Sequence, residues 1–155
     1  MLSPLPSQAV SLPNPADFPA LMGCDATVYS IDSDEPNGGY NPWSNDIVLL
    51  GLDRLPREWW VFIAAHEAGH CLQFRGGGGW YRPSEWPEFE WEADLHAIRF
   101  LERYGIDGAA VNDHIWGYIN RTYGYEGRPN SPHGIVKERI LRGYLNRTLV
   151  HVEAP

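Results

Sequence analysis

The chain has 155 residues, with 12 Lys and Arg against 20 Asp and Glu, for a formal charge of −8. That balance excludes the basic surface by which proteins hold nucleic acid, and it excludes electrostatic docking on anionic membranes. With 43% apolar residues, including 7 Trp, 8 Tyr and 5 Phe, the chain can bury a sizeable core and is not wholly disordered.

The N-terminal stretch 1–20 carries five prolines and no basic start. It reads as an extended arm rather than a secretory signal, leaving residues 21–155 as a single domain. Thr27 to Ile31 alternates with a β-branched and aromatic bias, as a half-buried strand does. The run "DSDEPNGG" that follows is a turn by composition. Asp46 to Leu50 reads as a second strand closed by Gly51, which gives a small antiparallel N-terminal sheet.

Pro56 then opens a helix that continues to about Phe74, where "RGGGG" stops it. After a loop rich in Trp and Pro, a second helix is expected from Pro87 to Tyr104, with Gly105 as its stop. A third is expected over Ala109 to Tyr123, and a fourth from Ser131–Pro132 to about Arg147. Strands first and helices after point to an α+β domain. No apolar run approaches the roughly 20 residues that span a bilayer. Two cysteines, Cys24 and Cys71, are too few for a disulfide scaffold, so a reduced, cytoplasmic setting is the default expectation.

The first long helix contains "HEAGH", with His66 and His70 four residues apart and Glu67 beside the first. Residues four apart stack on one helical face. H-E-x-x-H on a helix therefore offers two imidazoles to one zinc ion, with the glutamate placed to take a proton from water. Gly69 costs about 1 kcal/mol of helix propensity relative to Ala, so something is expected to approach the helix there.

A catalytic zinc site takes a third protein ligand. In the following helix Phe89, Ala93, His96, Ala97 and Phe100 form the core-facing stripe at 100° per residue. Glu90 and Asp94 lie on its flank, while Glu88 and Glu92 face away. Glu90 is thus the expected third ligand, and Asp94 is placed to orient a ligating histidine through its other ring nitrogen. Glu92 and His96 are the alternatives.

"HEAGH" followed by "EWEAD", Glu90 to Asp94, resembles the glutamate-type zinc metallopeptidases, the gluzincins. The similarity is to the soluble minimal and ImmA/IrrE-like members and to the catalytic core of the HtpX-like membrane peptidases, and it covers mainly Asp46 to Tyr104. The resemblance implies a zincin-like fold, one zinc ion held by His66, His70 and Glu90, Asp94 behind them, and Glu67 as general base in hydrolysis of a peptide or protein substrate. It implies that the strand Asp46, Ile47, Val48, Leu49, Leu50 is the sheet edge along which the peptide lies. "SPHGIVKERI", from Ser131 to Ile140, faintly resembles a C-terminal segment of the membrane group.

A second donor to the oxyanion would come from Tyr118, Tyr123, Tyr125, His114 or His133. Cys71 reads as a buried thiol, and a Cys24 thiolate blocking the zinc is a remote option. The Pro-rich arm and the Trp80–Trp86 loop are candidate surfaces for a protein partner. The competing function class is a catalytically inert, zinc-stabilised module that serves in assembly. Glu67 favours the enzyme, since a purely structural site needs no general base.

Overall fold

The computed structural model describes residues 12–14, 17–75, 86–123 and 139–145. A short helix α1 (Phe18–Met22) leads to three strands, β1 (Thr27–Ile31), β2 (Asn37–Asn41) and β3 (Asp46–Leu50). A single 3-10 turn, Leu52–Arg54, precedes α2 (Arg57–Gln73), α3 (Trp86–Glu102) and α4 (Gly108–Tyr123). Residues 139–145 are helical and form α5. The architecture is α+β.

The sheet is mixed rather than antiparallel, in the order β1-β3-β2. β3 pairs with β2 as an antiparallel hairpin and with β1 in parallel, Thr27 opposite Asp46 and Ile31 opposite Leu50. Alternation along a strand encodes which face is buried, not which strand is the neighbour, so the parallel pairing was not readable from it. The order also corrects the expected edge: Asp46, Ile47, Val48, Leu49 and Leu50 form the central strand, hydrogen-bonded on both sides. The edge nearest α2 is instead β2, whose NGGYN sequence reads as a turn because Gly and Asn are depleted in strands.

Ile47 and Leu49 point from β3 into the core, where they meet α2. That helix is buried nearly all round from Val61 to Gln73, so it shows no amphipathic stripe. Its tightest crossing is with α3 at Gly69. A Cβ there would lie 3.0 Å from the His96 Cβ and 3.2 Å from the Ala93 Cα. The lost helix propensity at Gly69 is thus offset by close approach of α3. That helix ends with Ile106 N–H donating to Leu101 C=O and Gly105 N–H to Glu102 C=O, with Gly105 at φ 75°, the left-handed close of a Schellman turn.

Two expectations about the flanks change. Described parts of the supposed arm belong to the domain: Leu12 and Phe18 are buried in the core, and α1 crosses the expected boundary at residue 20. Phe18 packs between Trp60 and Phe100, at ring-centroid distances of 6.2 and 5.0 Å. Cys24 and Cys71 are joined as a disulfide, which ties the α1–β1 link to α2 and replaces the expected pair of reduced thiols. A cysteine count carries no information on proximity across 47 residues. The pairing also removes the cysteine argument for a reducing compartment and the option of a Cys24 thiolate on the metal. Of the last expected helix, residues 131–138 and 146–147 lie outside the described residues. Among the described residues no helix is long and apolar enough to cross a membrane.

Candidate metal centre

The site is built at the α2–α3 crossing that Gly69 permits. His66 and His70 are stacked one turn apart on α2, with ring centroids 4.7 Å apart. Glu90, the fifth residue of α3, reaches both rings: Oε2 lies 3.0 Å from His66 Nε2 and Oε1 lies 3.4 Å from His70 Nε2. One ligand atom from each of the three lies within 4.8 Å of the others, a spacing compatible with a single metal ion.

The opposite ring nitrogens are anchored. His66 Nδ1 donates to Asp94 Oδ1 at 2.9 Å, and His70 Nδ1 donates to Gln73 Oε1 at 2.8 Å. Both imidazoles therefore turn Nε2 toward Glu90, the tautomer that metal ligation requires. Gln73 was not singled out in the sequence, although its position three residues after His70 is a contact spacing on a helix. Its Nε2 donates to the Phe89 carbonyl at 2.7 Å and reaches Glu92 Oε2 at 3.3 Å. Gln73 thus fixes the start of α3 beside His70. The Phe89 ring covers that imidazole at a centroid distance of 4.4 Å.

Behind Asp94 sits a residue the sequence did not reveal. Arg139, on α5, donates from Nε to Asp94 Oδ2 at 2.6 Å and from Nη2 to Oδ1 at 2.7 Å. Its guanidinium lies 3.5 Å from the centroid of the Trp116 ring and is buried. The signal was present only as the Arg of "VKERI", in a segment whose resemblance was too faint to carry a role.

Electrostatics follow from this packing. Burial alone would lower the pKa of His66, but its bonds to Asp94 and Glu90 outweigh that and raise it to about 10. Burial likewise opposes ionisation of Glu90, yet the two imidazoles hold its carboxyl well below the usual range. Asp94 is held down against burial chiefly by Arg139. Glu67 goes the other way: burial raises it, and the neighbouring histidines only partly compensate. Two buried imidazoles and one half-buried carboxylate, each with a fixed orientation, are a donor set that suits zinc.

Glu67 opens on a cavity of about 440 Å³ bounded by β2 on one side and α4 on the other. Gly38 of β2 lies against it: a Cβ on Gly38 would sit 3.1 Å from Glu67 Cγ and 2.8 Å from Ile63 Cγ2. His66, His70 and Glu90 line the same cavity, as do Ile115, Trp116 and Ile119 of α4.

Of the other candidates, Glu92 lies outside the triad and bonds Gln73, and His96 packs against Gly69 with its pKa lowered by burial. Tyr118 is turned toward Trp59, at 5.6 Å between ring centroids, and lines an adjoining cavity instead. His114 is exposed on α4 and does not line the metal cavity. Tyr123 ends α4, while Tyr125 and His133 lie outside the described residues, as does most of the Trp80–Trp86 loop. Searches against protein-family profiles, curated proteins and solved structures find no match to this chain.

Proposed function

We propose that this chain is a zinc-dependent metalloendopeptidase with a zincin-like fold. The observation that carries the proposal is the convergence of His66, His70 and Glu90 beside Glu67, in a cleft flanked by the edge strand β2. His66, His70 and Glu90 would hold the ion, with Asp94 and Gln73 keeping the two imidazoles turned toward it. A bound zinc supplies Lewis acidity, which makes water a nucleophile near neutral pH and polarises a carbonyl.

The chain's own residues do the remainder. Glu67, whose proton affinity is raised by burial, accepts the proton of the attacking water and passes it to the leaving amine. Among the described residues β2 has a neighbour on one side only, so an extended peptide adds to its other side as a further strand and is held by main-chain hydrogen bonds. Gly38 lets that strand lie directly over Glu67.

The test is a Glu67→Gln variant that retains zinc. Loss of peptide hydrolysis with the metal still bound supports the enzyme. If wild type and variant were equally inert on a broad peptide library, the inert zinc-stabilised module would be the better reading. Zinc stoichiometry tests the ligand set: Glu90→Ala should lose the metal and Glu92→Ala should keep it.

A further inference from the structure

We infer that two copies of this chain pair edge to edge through β1, joining their three-stranded sheets into one continuous sheet in the order β2-β3-β1-β1-β3-β2. This pairing goes beyond the peptidase reading and does not depend on it. The sheet has two edges, and among the described residues neither has a further strand beside it. β2 borders the metal cavity. β1 lies at the opposite edge and has a different character. Its sequence, TVYSI, is rich in β-branched and aromatic residues and carries no charge, proline or glycine. Tyr29 and Ile31 are each 51% exposed on it. Its register with β3 runs unbroken from Thr27 to Ile31. Edges that stay unpaired are usually blunted by charge, proline or a bulge, and β1 has none of the three.

Main-chain geometry fixes how two such edges meet. Thr27 N–H donates to the Asn45 carbonyl, and the Ile31 carbonyl accepts from Gly51 N–H. Along a strand, alternate residues turn their N–H and C=O to opposite sides. Thr27, Tyr29 and Ile31 are thus committed to β3, while Val28 and Ser30 turn theirs to the open side. An antiparallel partner must present outward-turned residues opposite these. Setting Val28 of one copy against Ser30 of the other, about a two-fold axis at Tyr29, lets every outward N–H and C=O of the strand find a partner.

The side chains fit that register. Tyr29 meets Tyr29 of the second copy in a non-hydrogen-bonded pair, where Cα atoms approach to about 4.5 Å and side chains touch. Thr27 faces Ile31 of the second copy. On the inner side, Val28 of the second copy comes beside Ser30, which walls a cavity of about 560 Å³ with Leu49, Leu52 and Trp60. Charges complement at both ends. Arg75 lies 3.4 Å from Asp25 before the strand, and Arg54 lies 3.3 Å from Asp32 after it. Antiparallel pairing brings the Asp25–Arg75 end of one copy to the Asp32–Arg54 end of the other, so each acidic group meets a patch that also holds an arginine. Such an isologous contact closes at two copies. It leaves β2 and the metal cleft of each copy at the far ends of the joined sheet, open to a peptide.

Sedimentation velocity of the full chain tests the pairing, at about 0.15 M salt so that the repulsion from a net charge of −8 is screened beyond roughly 8 Å. Wild type should sediment as a concentration-dependent dimer of the 17.5 kDa chain. Ser30→Pro removes an outward N–H and spares the bonds to β3, and Tyr29→Lys sets two ammonium groups against each other across the axis. Each should raise the dissociation constant by on the order of tenfold or more, with far-UV circular dichroism unchanged. Should proline disturb β1 itself, Tyr29→Lys and cross-linking carry the test. Under mild oxidation Tyr29→Cys should cross-link to its own copy. Ile31→Cys should not, because its counterpart is displaced by roughly 13 Å along the strand. A monomeric wild type, whose edge is left to another segment of the chain or to a foreign strand, overturns the inference. So does a dimer that both variants leave intact, or one that cross-links through Ile31→Cys and not through Tyr29→Cys.

Discussion

Arg139 holds both carboxylate oxygens of Asp94, at 2.6 and 2.7 Å, while Asp94 Oδ1 receives the Nδ1–H of His66 at 2.9 Å. Both acidic and basic members of this pair are buried. Removing one partner of such a pair leaves the other charge unpaired, which costs roughly 3–5 kcal/mol. Arg139→Ala should therefore lower folding stability by about that amount in a denaturant titration. It should also weaken zinc binding, because Asp94 loses the group that keeps it ionised and aimed at His66. Arg139→Lys, which keeps the charge but not the fork, should recover only part of either effect. Full stability in Arg139→Ala would show that α5 does not support the site.

Gly38 and Gly39 offer a paired test of how closely β2 approaches α2. A Cβ at Gly38 meets Ile63 at 2.8 Å and Glu67 at 3.1 Å, whereas a Cβ at Gly39 meets nothing within 4 Å. Overpacking of this kind costs roughly 1–3 kcal/mol, so Gly38→Ala should be less stable than wild type and should displace Glu67. Gly39→Ala should be neutral or slightly stabilising. Thermal unfolding of the two variants distinguishes them, and equal melting temperatures would mean that β2 does not press on the helix.

These two relationships show what the sequence could and could not disclose. HEAGH and the flank position of Glu90 and Asp94 are local patterns, and helical phase alone brings their residues to one face of each helix. The crossing at Gly69 was also foreshadowed, since a glycine inside a long helix requires a close neighbour. β2 was hidden because its glycines serve the packing against Ile63 and Glu67, and that same composition imitates a turn. Sheet order was hidden because Ile47 and Leu49 declare an inward face, while their neighbours across the sheet depend on how the hairpin folds back. Arg139 lies 45 residues from Asp94, with no periodicity to join them.

The Cys24–Cys71 bond closes a loop of 47 residues behind His70. In the chain-entropy account a loop of that length is worth about 4 kcal/mol. Reductant should therefore lower the unfolding midpoint of the wild type and leave a Cys24→Ala/Cys71→Ala variant unchanged. A midpoint equally insensitive in both proteins would show that the two sulfurs are not joined in solution. Loss of zinc on reduction would further show that the bond steadies the end of α2 that carries His70.

Acid–base behaviour separates the metal-free from the metal-bound protein. In the metal-free chain His66 has its pKa raised to about 10 by Asp94 and Glu90 acting against burial, compared with about 6.5 for an unperturbed histidine. A folded-state pKa above the unfolded one contributes stability that is complete below pH 6.5 and is lost as pH rises toward 10. Glu90, held low, is ionised in both states across that window and adds no slope. In EDTA the melting temperature should therefore fall between pH 6.5 and 10. Zinc competes with the proton for His66 Nε2, so its binding tightens as pH rises. A ligand that binds only the folded state at about a thousand times its dissociation constant adds roughly 4 kcal/mol. The gap between zinc-loaded and EDTA-treated melting curves should thus widen with pH. Parallel curves would mean that the metal and the His66 proton occupy different atoms, and the assignment of Nε2 to the metal would fail.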